Sequence, residues 1–197
     1  MSRLISRLPK RYFFIRLLIC FLASACWLLP VRAETYVQFA GRMMQQGHFR
    51  PDIEKALFLR INQYRASQGK RALAPDASLQ FAARAHAEDM ASHGFIGHVA
   101  STGHDFDSRM RAFKGGGMLV LPAMGENAAA FPASGIDVAV AEGLFQSWLH
   151  SDPHRRAMVS NDYIRAAVGV SVVNGKAYAD QIFVGPQVHS NILPMAQ

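Results

Sequence analysis

Imidazole and carboxylate are the groups through which this sequence could do chemistry. All eight histidines lie after residue 33, whereas both cysteines, Cys20 and Cys26, lie before it. The part after residue 33 therefore has no disulfide, no thiolate nucleophile and no cysteine metal site. Three residues stand out by their surroundings. His98 follows Phe95-Ile96-Gly97 in a polar loop, and Glu126 stands between Gly125 and Asn127, which suit a tight turn of the backbone. His154 opens a short helix in Ser151-Asp152-Pro153-His154-Arg155-Arg156-Ala157-Met158. A loop histidine, a turn glutamate and a helix-start histidine come from separated segments, which is how catalytic and metal sites are commonly assembled.

The other candidates have plainer readings. His86 shares an apolar helix face with Leu79, Ala83 and Met90, so it reads either as a hydrogen-bonded core histidine or as a ligand. His93 falls in the last turn of that helix, where donors suit exposed carbonyls. His48 and His189 sit in terminal segments, and His104 and His150 are second choices beside His98 and His154. Asp152 before a proline reads as a helix cap, with a general base as the alternative. Ser147 and Ser151 lie near His154, yet no Gly-x-Ser-x-Gly elbow is present. Arg109 and Arg155 read as ion-paired scaffold residues, and Asn127 as a side chain that fixes backbone.

The elements that must position these groups follow from periodicity. Residues 34–50 read as a short lead-in, with Gly41 and Gly47 limiting any helix. Pro51 starts a helix carrying Ile53, Leu57, Ile61 and Tyr64 on one face, closed by Gly69. A second helix presents Leu79, Ala82, Ala83, His86 and Met90 and ends at Gly94. A short helix is expected from Phe106 to Phe113. The run Gly115–Gly117 is a turn, since no Lys-Ser or Lys-Thr follows it. Met118–Leu121 reads as a strand. Val138, Ala141, Phe145 and Trp148 mark a further helix, with Ser134 and Asp137 at capping-box spacing. Ala166–Val173 and Ala177–Val184 read as strands joined by Asn174-Gly175, a strong hairpin signal. Helices followed by a hairpin, with a strand between, indicate an α+β fold.

The first 33 residues have a different character. Arg3, Arg7, Lys10, Arg11 and Arg16 precede the uncharged run Leu17–Leu29, and Val31-Arg32-Ala33 has small residues where a signal peptidase needs them. This predicts a secretory signal cleaved after Ala33. The apolar run is shorter than the ~20 residues of a spanning helix, so a retained anchor is the weaker alternative and no transmembrane helix is expected after cleavage. Leu22-Ala23-Ser24-Ala25-Cys26 is similar to a lipoprotein signal, but Ala23 replaces the usual Leu. Six of the 21 basic residues and none of the 14 acidic ones precede residue 34, so the remainder carries 15 basic against 14 acidic. The net charge of +7 thus belongs to the targeting segment and gives no support to a nucleic-acid partner. The expected organisation is a signal at 1–33, the lead-in at 34–50, one domain at 51–186 and a tail at 187–197.

Taken together, several short motifs resemble the CAP superfamily, the SCP-like extracellular proteins, in its bacterial form. Asn62-Gln63-Tyr64-Arg65 with Gly69 and Leu73 resembles the family's opening segment. His98, Gly103 and Arg109 resemble its His-x4-Gly…Arg loop, and Gly125-Glu126-Asn127-Ala128 its Gly-Glu-Asn motif. Trp148, Ser151, His154, Arg155 and Met158 resemble its Trp-x-x-Ser-x-x-His-Arg motif. Gly169, Tyr178, Gln181 and Phe183 resemble its closing hairpin. The resemblance implies a three-layer α-β-α sandwich with a C-terminal β-hairpin. It also implies a central cleft in which two histidines and two acids hold a divalent cation. His98, Glu126 and His154 match three of those four positions, and Ser151 stands where the fourth acid is usual. Two imidazoles and one carboxylate form a three-ligand zinc set with an open position for water, weakly held for want of the second acid. Two functional classes follow. One is a secreted or periplasmic binding module for a small ligand, lipid or cell-envelope component. The other is a metal-dependent hydrolase, for which the sequence offers neither a clear base nor a nucleophile.

Overall fold

The computed structural model describes residues 34–113 and 122–186. The expected signal, the run Gly115–Gly117, the expected strand Met118–Leu121, His189 and the tail lie outside the described residues. By its contacts the chain divides into two units, Met1–Glu34 and Thr35–Gln197, and everything below concerns the second.

The elements in chain order are α1 (Tyr36–Gln46), α2 (Pro51–Ser67), β1 (Ala74–Pro75), α3 (Ala77–His93), α4 (Phe106–Phe113), β2 (Met124–Pro132), α5 (Asp137–Leu149), α6 (Asp152–Val159), β3 (Arg165–Val173) and β4 (Lys176–Val184). The sheet order is β1-β3-β4-β2, antiparallel except for the short parallel pairing of β1 with β3. The hairpin closes as expected: Asn174 and Gly175 have φ of 51° and 72°, the left-handed pair that a two-residue primed turn requires.

Both sheet faces are covered, which makes the fold the α-β-α sandwich that the motifs implied. On one face Ala129, Ala166, Val168, Val170, Ala179 and Phe183 pack with Ile53, Leu57 and Ile61 of α2 and Leu144, Phe145 and Trp148 of α5. On the other, Ala167 and Ile182 pack with Ala82 and Ala83 of α3 and Met110 of α4. Strands buried on both faces read as near-continuous apolar runs, a pattern interrupted inside β3 by Ser171 and inside β4 by Asp180 and Gln181. Gly169 lets α3 lie directly on the sheet: a Cβ there would stand 2.4 Å from the backbone of Ala83 and Arg84.

Four sequence expectations need correction. The lead-in is largely helix α1, opened by a capping box between Thr35 and Gln38 and closed by Gly47 at φ 76°. An interior glycine such as Gly41 costs about 1 kcal/mol against alanine, and burial of Tyr36, Phe39 and Met43 outweighs that cost. Glu126 is not at a turn but within strand β2. The box expected at Ser134 and Asp137 does not form, because α5 starts only at Asp137, with Ile136 at its N-cap, and the Asp137 carboxylate pairs with Arg50 instead. At α6 the N-cap residue is Ser151 rather than Asp152.

Candidate functional site

His98 is held in place by the buried polar side of the α3–α4 layer. His86 Nε2 donates to Gly97 O at 2.8 Å. Asp89 accepts from Ser101 N at 2.9 Å and from Ser101 Oγ at 2.5 Å. Arg109 Nη2 donates to His98 O at 3.2 Å. His86, Asp89 and Arg109 are all fully buried, so the loop carrying His98 is fastened at three points. Burial and the neighbouring Arg109 charge push the His86 pKa down. His86 thus serves as a neutral donor, and its reading as a core histidine holds.

Edge strand β2 joins the two layers through adjacent residues. Successive side chains of a strand face opposite ways. Glu126, opposite Ile182, faces the α3–α4 layer, and Asn127, opposite Gln181, faces the α2–α5 layer. Glu126 Oε2 accepts from His98 Nδ1 at 2.8 Å, and its Oε1 accepts from Arg109 Nη2 at 2.6 Å. On the other face, Asn127 Nδ2 donates to the backbone oxygen of His154 at 3.3 Å. The rings of His98 and His154 consequently meet, with centroids 6.3 Å apart and planes inclined by 70°. The His98 side chain is 51% exposed while that of Glu126 is only 2% exposed, so the histidine faces solvent and the carboxylate stands behind it.

The charges are set by these partners. Burial alone would raise the Glu126 pKa, but the His98 hydrogen bond and the Arg109 charge hold it below the ordinary carboxylate value. The bond to Glu126 raises the pKa of His98 against partial burial. Burial, and then the His98 charge, lower that of His154, whose Nδ1 is buried without a partner.

Two further polar residues were not singled out by sequence. Asp180 on β4 is completely buried, and burial followed by the Glu126 charge keeps its carboxyl well above the ordinary range. It lies next to Glu126 and Arg109, whose charges act on it in opposite directions. The available signal was Asp180-Gln181, two polar residues in succession within a strand buried on both faces. Asp89 had a similar signal in Glu88-Asp89, on an otherwise apolar stretch of α3.

The donor set fits a cation only in a restricted way. Both oxygens of Glu126 are engaged, one by Arg109, which also neutralises the charge a cation would need. Among the described residues, no group of three or more His, Cys, Asp or Glu is arranged to hold a metal ion. What fits is a pair of imidazoles, borderline ligands suited to zinc. Glu126 then orients His98 through Nδ1 and leaves Nε2 for a ligand, the usual outer-shell role of a carboxylate. Two imidazoles bound to one zinc at ~2.0–2.1 Å have ring centres roughly 5–6 Å apart, close to the observed spacing.

Ser151 is half-buried at the start of α6 and makes no cap hydrogen bond with its side chain. Asp152 is 67% exposed and paired with Arg155. Ser147 Oγ donates to Gly143 O within its own helix. Among the described residues, none of the three makes the hydrogen bond to a histidine by which a nucleophile is activated.

Comparison with known proteins agrees with this architecture. The family model for the cysteine-rich secretory protein family, CAP, matches residues 58–186. An extracellular protein of Bacillus anthracis containing an SCP domain is 22% identical, with a TM-score of 0.55 over 68% of this chain and 40% of that one. An outer surface protein of Borrelia burgdorferi is 19% identical, with a TM-score of 0.57 over 72% of this chain and 99% of that one. At such identities the likeness concerns the fold. The chain thus spans well under half of the Bacillus protein. No curated protein matches by sequence.

Proposed function

The chain belongs to the CAP, or cysteine-rich secretory protein, family, and from that premise we propose that it is an exported binding module. Its His98–His154 cleft takes a divalent cation or a small ligand at the cell envelope, in the secreted or periplasmic space. The observation that carries this reading is the double hold of β2. Glu126 takes the His98 ring at 2.8 Å, and the next residue takes the backbone of His154. A half-exposed imidazole aimed by a buried carboxylate is a recurring device for presenting a ligand nitrogen. Zinc, when bound, would supply a Lewis-acidic centre with an open position. The protein's part is to hold His98 in one tautomer, keep Arg109 against Glu126 and bring in His154 from the other layer.

Binding is favoured over hydrolysis because the one candidate base, Asp152, is turned to solvent and engaged by Arg155. Export is supported by the composition of residues 1–33. Among the described residues, no helix is long and apolar enough to cross a membrane.

Calorimetric titration of zinc into the protein and its His154→Ala variant tests the site. Weak binding in the parent and at least a tenfold loss in the variant are expected. Equal affinity in the two would remove the cleft as a cation site.

A further inference from the structure

Away from the cleft, Arg65 presents a buried charge without a counter-ion among the described residues. It is 2% exposed, and its partners are all backbone carbonyls. Nε donates to Arg71 O at 2.8 Å, and Nη1 donates to Met158 O at 2.6 Å and Ser160 O at 3.0 Å. Among the described residues, Nη2 has no acceptor. Buried arginines are almost always paired with acids. The two nearest acids in sequence to these contacts are engaged elsewhere: Asp162 accepts from Ser160 Oγ at 2.9 Å, and Asp76 pairs with Arg165 at 3.1 Å. Burial accordingly draws the Arg65 pKa down with no opposing charge to restore it.

The plainest role for Arg65 is to close the C-terminal end of α6, where Met158 O is among the last carbonyls. A helix end carries only about half a negative charge, so that role leaves much of the guanidinium uncompensated. Arg71, whose backbone carbonyl Arg65 holds, carries a second positive charge, and among the described residues no acid pairs with it. Both arginines line one cavity of about 490 Å³, together with Asn161, Tyr163 and Ile164. Cavities of roughly 300–1,000 Å³ are the size that admits small organic ligands.

We infer that this cavity binds a doubly charged tetrahedral oxyanion, namely phosphate or the phosphate of a monoester, between Arg65 and Arg71. Two guanidinium groups match the charge of a phosphate dianion; Arg65 has its Nη2 hydrogens left to donate, and Arg71 carries a planar donor fork suited to paired oxygens. The three carbonyls hold the Arg65 fork in one orientation, so little side-chain entropy is lost when an anion binds. Asn161 adds a polar residue to the wall.

Calorimetry with inorganic phosphate, at constant ionic strength maintained with chloride, tests the assignment. The parent should bind saturably at millimolar phosphate, and Arg71→Ala should weaken binding tenfold or more. Arg71 is exposed, so this variant keeps the fold. Arg65→Lys, checked by circular dichroism, retains the charge but not the fork and should also bind more weakly. His98→Ala should bind phosphate as the parent does, which separates this site from the cleft. Glycerol phosphate and phosphatidic acid vesicles then distinguish a soluble monoester from a lipid headgroup, since only the physiological form should surpass inorganic phosphate. No saturable binding, or equal binding by parent and Arg71→Ala, would overturn the proposal.

Discussion

At the scale of single residues, the two cleft histidines differ in their partners: His98 has a carboxylate, and His154 has none among the described residues. Their contributions to stability therefore run in opposite directions with pH. The folded His98 pKa is raised, chiefly by Glu126. Its contribution is fully present below the unfolded value of about 6.5 and fades as pH rises through the folded value. The folded His154 pKa is lowered by burial and by the His98 charge. Its protonation is thus resisted in the folded state, and stability is lost as pH falls below about 6.5. Urea unfolding between pH 5 and 9 should show His98→Ala costing most stability at the acid end. His154→Ala should instead flatten the acid loss of the parent. Profiles parallel to the parent for both variants would show that neither pKa is shifted by the fold. Both residues are partly exposed, so solvent screening limits the size of these effects.

At the scale of elements, the site depends on β2, and β2 is the element that the sequence concealed. Its residues Met124–Pro132 mix glycine, glutamate, asparagine and alanine, so there is no run of β-branched residues to mark a strand. Only its pairing along the whole length of β4 makes it one. Strands β3 and β4 and their turn were legible because they are rich in apolar and β-branched residues and joined by Asn-Gly. The three site residues were legible from motif and from their separated positions, but the engagement of Glu126 by Arg109 was not. That ion pair depends on α4 lying against the face of β2 that Glu126 shares, a tertiary fact without a local signature. Helix α1 was missed for a related reason: Gly41 weakens its intrinsic propensity, and its burial against α3 restores it. The seat of α3 on the sheet is itself testable at Gly169. A methyl group there would overlap the backbone of Ala83 and Arg84 at 2.4 Å, and backbone yields less readily than a side chain. Overpacking of this kind costs about 1–3 kcal/mol. Gly169→Ala should lower the urea midpoint accordingly, and because α3 anchors the His98 loop through His86 and Asp89, zinc binding should weaken as well. An unchanged midpoint would mean that the layers separate more easily than the packing implies.

At the scale of the whole molecule, the chain holds a family fold without the cross-links for which the family is named. Its two cysteines both precede residue 34, so the unit beginning at Thr35 must be stable by burial alone. It has the means. A sheet covered on both faces buries Trp148, Phe145, Phe183, Met158 and a series of aliphatic side chains completely, and a domain of this size needs no staples. Buried ion pairs such as Arg109–Glu126 add geometric definition more than net stability. If the cysteines contributed a structural disulfide, its loss would cost about 2–4 kcal/mol. For a domain of this length each kcal/mol moves the midpoint by about 2–4 °C, so reduction would lower the thermal midpoint by roughly 4–16 °C. The expected result is no shift: scanning calorimetry of the protein with and without reductant should give superimposable transitions. N-terminal sequencing of the same sample should begin at Glu34. A reductant-sensitive midpoint together with a start upstream of Cys26 would show that the first segment is retained and takes part in holding the mature fold.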